Sequence, residues 1–187
     1  MMEVRRKDVC HRKEQRVMME LMKSELVYDV ANTAYTFADA LNLDDEHERK
    51  SIIDVAQDGN RDKLARILDE AVEDCRETLY TFGKGHVDGS WYETDEWEDC
   101  VGSPTSDEES YYLKMFAPRY FSTTSLHTMM VYAHNYIVNK AVSDWLMVVY
   151  PKGAEQFLVL ANDTKDKLLR AANRGGSNIR IKPHWLG

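Results

Sequence analysis

The sequence contains few cysteines. Cys10, Cys75 and Cys100 are far apart, odd in number and without the paired spacing of a metal or redox motif. A disulfide framework or a Cys-x-x-Cys site is therefore not expected. Isolated thiols of this kind are typical of a protein that is kept in a reducing compartment.

Long hydrophobic runs are also absent. No window of the chain approaches the roughly 18 apolar residues of a membrane-spanning helix. The basic segment 1–17 is not followed by an apolar stretch of signal-peptide length. These absences predict a soluble product that is made in the cytoplasm and has no membrane partner.

Motifs of common active sites are missing as well. The chain has no Gly-x-Ser-x-Gly sequence, phosphate-binding loop or dinucleotide fingerprint. His127 and His134 lie seven residues apart, without the spacing of a zinc site, and are interpreted as histidines at the edge of the core. The sequence therefore predicts no catalytic residue, no metal site and no cofactor.

Positive charge is scarce overall and unevenly placed. The net charge of −8 argues against a protein that coats nucleic acid generally. Residues 1–16 carry six Lys/Arg, residues 86–110 carry nine Asp/Glu and no Lys/Arg, and residues 165–187 carry six Lys/Arg. Basic ends and an acidic middle favour head-to-tail contacts between copies, which close into rings when the rotation allows.

The longest apolar stretch with helical periodicity is 122–150. Its apolar residues recur at three- and four-residue steps and predict a central core helix with the inner face Leu126, Met129, Met130, Ala133, Ile137, Ala141, Trp145 and Val148. Tyr150 precedes Pro151, which disfavours helical geometry and marks the end of the element.

Four further helices are predicted, at 12–41, 45–57, 61–80 and 151–173. The first has two adjacent apolar rows, which suit a helix packed against more than one partner; one row is Val17, Leu21, Tyr28, Ala31 and Tyr35. In the last helix, the inner face is predicted to include Phe157, Leu158, Ala161 and Leu168. The fold class is thus mainly α, a bundle of about five helices.

Two segments interrupt or extend this bundle. Residues 81–121 are rich in turn-forming glycines and in aromatic residues, and predict a small β-hairpin-like excursion. After Gly175 and Gly176, the segment 177–187 alternates apolar and basic residues, which suits an extended C-terminal arm that docks on another chain. We therefore expect one helical domain, 1–176, followed by the arm.

The arm supplies the predicted protein-interaction residues: Ile179, Arg180, Ile181, Lys182, Pro183, Trp185 and Leu186. The excursion supplies an acidic loop: Glu93, Asp95, Glu96, Glu98 and Asp99. This loop lacks the regular ligand spacing and central glycine of a helix-loop-helix calcium site. It is interpreted as a surface that repels nucleic acid or meets a basic partner, with calcium binding as the alternative.

A second acidic group lies on the predicted helix 61–80. Asp69, Glu70, Glu73, Asp74 and Glu77 follow one another at helical spacing. All-helical nucleotide pyrophosphatases hold Mg²⁺ with paired acidic helix motifs, but no second helix here offers a matching inward pair. A solvated helix face is therefore preferred over a metal site.

The helical body, the β excursion and the C-terminal arm together resemble the head-to-tail connector (adaptor) proteins of tailed bacteriophages. The resemblance is one of architecture. It implies a virion protein that forms a homo-oligomeric ring in the neck and binds the portal protein and tail or neck proteins. The arm would dock on a neighbour, the acidic excursion would face a channel or the tail, and DNA would pass through without sequence-specific binding.

Two other functions remain open. The first is an all-helical, Mg²⁺-dependent nucleotide pyrophosphohydrolase that uses Glu70, Glu73, Asp74 and Glu77. It requires these acids to converge on a pocket. The second is a regulatory or partner-binding module without ring symmetry. The connector interpretation, by contrast, predicts a protein that is not an enzyme.

Overall fold

The chain is mainly helical. The computed structural model describes residues 14–41, 45–83, 86–87, 90–91, 110–118 and 123–174. These residues form five α-helices: α1 (Lys23–Ala40), α2 (Glu46–Ile53), α3 (Arg61–Gly83), α4 (Thr123–Val149) and α5 (Pro151–Arg174). They also form four strands: β1 (Glu14–Met22), β2 (His86–Val87), β3 (Ser90–Trp91) and β4 (Ser110–Pro118). The predicted fold class is confirmed.

Helix α4 is the central element, as its periodicity predicts. It begins and ends within a residue of the predicted bounds, and Tyr150 is its non-helical link to α5. Proline is tolerated at the first position of a helix, so Pro151 ends one helix and starts the next. The Ser143 hydroxyl donates a hydrogen bond to the Ala154 carbonyl across this turn, at 3.0 Å. Helices α4 and α5 therefore fold back on each other and share the most extensive helix contact.

The other helices pack around α4 in defined directions. Asp29 near the start of α1 pairs with His134, and Phe37 near its end packs on Tyr150, so α1 runs parallel to α4. In α3, the Lys63 ammonium lies 4.6 Å from the centre of the Trp145 ring, whereas Asp74 approaches Lys140 farther up α4. Because α3 and α5 both run opposite to α4, the starts of α1 and α4 lie at the same end of the bundle as the ends of α3 and α5.

Strand β1 corrects the predicted helix 12–41, which begins only at Lys23. Residues Glu14–Met22 pair antiparallel with Ser110–Pro118, in a register from Glu14↔Pro118 to Met22↔Ser110. Met19 and Leu21 are buried while Glu20 and Met22 are exposed, which is the two-residue period of a strand. The valine and methionines of this segment fit either a helical or a strand period. The strand that pairs with it lies about ninety residues away in the sequence, so no local signal indicates the pairing.

The structure confirms that the predicted excursion contains β-strands, but these strands pair differently from the prediction. Strands β2 and β3 form a short antiparallel hairpin inside it, His86↔Trp91 and Val87↔Ser90. Strand β4 also lies within the predicted limits, but its partner is the amino-terminal strand. The longer β-ribbon therefore connects two segments that the sequence assigned to different parts of the fold.

One hydrophobic core joins all five helices and the ribbon. The ribbon contributes Met19, Leu21, Tyr111 and Leu113, and the largest fully buried side chains of the helices include Leu26, Ile52, Leu64, Leu68, Met129, Ile137, Leu146 and Leu168. The shared core is consistent with one domain over the described ranges. None of the helices in these ranges is both long and apolar enough to span a bilayer.

Candidate interaction surface

The two groups of residues that the sequence predicts to contact other molecules lie outside the described residues. They are the arm, Ile179, Arg180, Ile181, Lys182, Pro183, Trp185 and Leu186, and the acidic loop, Glu93, Asp95, Glu96, Glu98 and Asp99. The structure describes the surface of the helical bundle, which such segments can contact.

Three of the acidic residues of α3 contact different partners. Asp69 accepts a hydrogen bond from the Tyr111 hydroxyl at 2.5 Å, and Glu73 forms an ion pair with Arg76. Asp74 lies 4.0 Å from the Lys140 ammonium. Over the described ranges, no three His, Cys, Asp or Glu side chains are grouped so that they could hold a metal ion. The convergence that a Mg²⁺ site on these acids requires is therefore not seen there.

Two side chains of α3, Asp69 and Arg76, fasten the ribbon to this helix. Besides the bond from Tyr111 to Asp69, the Arg76 guanidinium donates two hydrogen bonds to the Tyr112 carbonyl, at 3.1 and 3.3 Å. That carbonyl belongs to β4, so Arg76 caps part of the strand's backbone. Asp69 and Arg76 thus hold the ribbon against the bundle.

Replacing Arg76 tests this fastening. We expect Arg76→Met to lower the free energy of unfolding by about 1–2 kcal/mol, because a partly buried carbonyl loses a charged donor. Urea denaturation followed by circular dichroism measures the change. Arg66→Met, at an exposed position on the same helix, is the matched control and should have little effect. Equal losses in both variants would contradict the fastening role.

The interface between α3 and α4 contains a buried phenol. Burial raises the pKa of Tyr136 to about 12, and the nearby carboxylates of Asp74, Asp144 and Glu77 act in the same direction. The same burial raises the pKa of the neighbouring Cys75 thiol to about 12. Groups that are held in their neutral, protonated forms in this way suit a structural interior better than acid–base or nucleophilic chemistry.

This phenol predicts a pH dependence. In the unfolded chain Tyr136 ionises near pH 10, and in the folded chain near pH 12. Its contribution to stability is therefore complete below pH 10 and is lost as the pH rises through 12. We expect the free energy of unfolding of Tyr136→Phe to fall less steeply over this range than that of the wild type. Tyr35→Phe, which changes an exposed phenol, should follow the wild type; parallel curves for all three would refute the prediction.

The outer side of α1 carries an exposed aromatic row. Tyr28 and Tyr35 are two turns apart and are 69% and 51% exposed. The sequence placed both in an apolar row of the core, and this is wrong, because the buried row is Leu26, Val30, Ala34 and Ala38. We call Tyr28 and Tyr35 the tyrosine row. Exposed tyrosines of this kind are enriched at protein interfaces.

A surface depression of about 370 Å³ lies at the start of the tyrosine row. It is lined by Ser24, Glu25, Tyr28 and Asp29. The Asp29 carboxylate also accepts a hydrogen bond from the Nε2 of His134 in α4, at 2.8 Å. His134 therefore lies at the edge of the core, as predicted, whereas His127 is exposed. We call this depression the tyrosine pocket.

Helix α5 carries a second exposed apolar surface. Leu158, Val159 and Leu160 are 37%, 62% and 43% exposed, and we call them the aliphatic patch. The sequence predicted Leu158 to face inward, and likewise Val148 of α4, which is 63% exposed. Three consecutive residues are spread over about 200° of a helix's circumference, since each residue turns it by about 100°. At least one of them must therefore face outward, which is a signal that the sequence itself contains.

Comparison with known proteins does not assign the chain to a family. No protein-family model, no curated protein and no solved structure matches it. The function is therefore inferred from the surface of the chain and from its sequence.

Proposed function

We propose that this protein is a structural component of a tailed-phage particle, forming a ring in the neck that joins the portal to the tail. The observation that carries the proposal is the pair of different exposed apolar surfaces, the tyrosine row of α1 and the aliphatic patch of α5. Exposed aromatic and aliphatic side chains that lie near one another on a helix suit a contact with another protein. Two unlike contact sites on one chain favour heterologous association, which forms a closed ring or an open filament.

The charge distribution supports association of the same kind. The basic residues are concentrated near the two ends of the chain and the acidic residues in segment 86–110. Complementary charges fix the register of partners and speed their encounter. Exposed ion pairs add little affinity, so the apolar surfaces have to supply most of it. An acidic segment facing a channel would keep DNA from adhering to its wall.

The native mass tests the proposal. We expect the full-length chain to form a closed oligomer, measured by light scattering or native mass spectrometry, and a chain truncated after Gly176 to lose it. Val159→Asp should also lower the oligomer fraction, because a desolvated carboxylate is unfavourable in an apolar contact. Gln156→Asp, at an exposed position on the same helix, is the matched control.

Three results would count against this function. A monomer at all concentrations and in the presence of portal protein would remove the basis for a ring. A Val159→Asp variant that assembles as well as Gln156→Asp would exclude the aliphatic patch as a contact. Mg²⁺-dependent nucleotide hydrolysis that is abolished by Glu73→Ala, without unfolding, would favour the pyrophosphohydrolase instead.

A further inference from the structure

The tyrosine pocket has the chemistry of a receptor for a cationic side chain. It is lined by the aromatic Tyr28, the acidic Glu25 and Asp29, and Ser24. An aromatic ring attracts a cation that lies over its face, and a guanidinium also binds carboxylates with two parallel hydrogen bonds. Asp29 already pairs with His134, whereas Glu25 has no ion pair within the described residues. Glu25 is therefore the carboxylate that remains available.

The chain itself contains a segment of matching chemistry. In residues 177–187, Arg180 lies between Ile179 and Ile181, and Lys182 follows. A cation flanked by branched aliphatic residues suits a pocket that is lined by acidic and aromatic residues. Among the cationic side chains of the segment, Arg180 is the better fit, because a planar guanidinium stacks on a ring and binds a carboxylate at the same time.

The position of this segment agrees with the position of the pocket. Helix α5 ends at Arg174, at the end of the bundle where α1 begins, and the pocket lies in the first turns of α1. Arg180 lies six residues after Arg174, and an extended chain of six residues spans at most about 20–22 Å. A segment that leaves this end of the body can therefore reach the start of α1 on an adjacent body.

We propose that the tyrosine pocket of one copy binds segment 177–187 of a second copy, with Arg180 between Tyr28 and Glu25. Ile179 and Ile181 contact the surface beside the pocket and supply apolar burial. This inference rests on the proposed function, because it takes the donor to be a neighbour in the assembly. It specifies the acceptor site, and so it explains why exposed aromatic side chains occur at the start of α1.

Disulfide trapping between two full-length variants tests the contact directly. Each chain carries Cys10→Ser and Cys100→Ser, while the buried Cys75 is kept. One chain then carries Tyr28→Cys and the other Ile181→Cys. After mixing and mild oxidation, we expect a covalent heterodimer at least tenfold more abundant than in the control pair, in which Glu48→Cys, at an exposed position on α2 outside both proposed contact surfaces, replaces Tyr28→Cys. A chain carrying both Tyr28→Cys and Ile181→Cys shows whether the link forms within one copy.

A charge exchange tests the assigned pair of side chains. Glu25→Arg should weaken assembly by about tenfold in dissociation constant, since it places like charges together. Adding Arg180→Glu to the same chain should restore most of that loss. Glu48→Arg on α2, also an exposed acid, is the matched control and should have little effect.

The outcomes separate this inference from the proposed function. The expected heterodimer and the restored assembly support both. An oligomer of normal mass without the cross-link, or a link confined to one copy, overturns the docking of a second copy's arm in this pocket and leaves the ring intact. A monomer that forms no intermolecular link overturns both.

Discussion

Trp145→Ala is expected to lower the free energy of unfolding by about 3–5 kcal/mol, the range for deleting a buried tryptophan. The Trp145 side chain is 2% exposed at the centre of the core. Its indole N–H donates a hydrogen bond to the Ile52 carbonyl at 3.2 Å, and Lys63 lies over its ring. The substitution leaves a cavity between α4, α3 and the last turn of α2, and deprives a buried carbonyl of its donor.

The measurement is urea denaturation, followed by circular dichroism, with the slope of the transition compared between variants. Trp145→Phe separates the two contributions, because it keeps an aromatic ring and removes the hydrogen bond. We expect it to cost about 1–3 kcal/mol, the penalty of leaving a buried acceptor unpaired. A Trp145→Ala variant within about 1 kcal/mol of the wild type would show that the indole is not a core element.

Gly153→Ala is expected to cost about 3 kcal/mol, at the upper end of the range for overpacking a core. A Cβ atom at Gly153 would lie 2.6 and 2.7 Å from two atoms of the Phe37 ring and 3.0 Å from the Tyr150 ring. Phe37 is itself held by edge-to-face contacts with Tyr150 and Phe157. The ring therefore cannot move aside without disturbing the junction of α1, α4 and α5.

Thermal and urea denaturation measure this effect, and the chain contains a matched control. At Gly59 an added Cβ has no neighbour within 4 Å, so Gly59→Ala should change stability by no more than about 0.5 kcal/mol. Phe37→Leu in the Gly153→Ala background should recover part of the loss by making room. If Gly153→Ala and Gly59→Ala behave alike, the close approach of α1 to the start of α5 is wrong.

Trp145 shows where sequence reasoning succeeds, and Gly153 shows where it fails. Trp145 lies on the apolar face of a helix that periodicity predicted almost to the residue, and Pro151 marks its end in the sequence. Local signals suffice there, because a helix is stabilised by bonds between residues four apart and its buried face repeats with the helix turn. The close contact of Gly153 with Phe37 has no such local signal, since it joins residues more than one hundred positions apart.

The amino-terminal strand is the main element that sequence reasoning assigned wrongly. Glu14–Met22 continues directly into α1, and its apolar residues can be placed on a helical row. Pairing with the backbone of β4 decides between the helical and the strand period of this segment. A strand needs a partner for every backbone donor and acceptor that it buries. Identifying that partner requires the tertiary structure.

Some features of the candidate interaction surface follow from the sequence, and others follow only from the structure. The basic and apolar composition of segment 177–187 is visible in the sequence, and it predicts that this segment docks on another chain. The tyrosine row was also visible as an apolar repeat, but the sequence could not show which side of α1 meets the core. Packing of Leu26, Val30, Ala34 and Ala38 against α4 leaves Tyr28 and Tyr35 on the outside.

By itself, the sequence determined the helical class, the bounds of α4, and the presence of a β excursion, because these depend on local periodicity and on turn-forming residues. The tertiary structure alone decided that Glu14–Met22 is a strand, that Asp69, Glu73 and Asp74 of α3 have separate partners, and that the tyrosine row and the aliphatic patch remain exposed. These features depend on which distant segments meet. The free energy of that choice comes from burial and pairing across the whole chain.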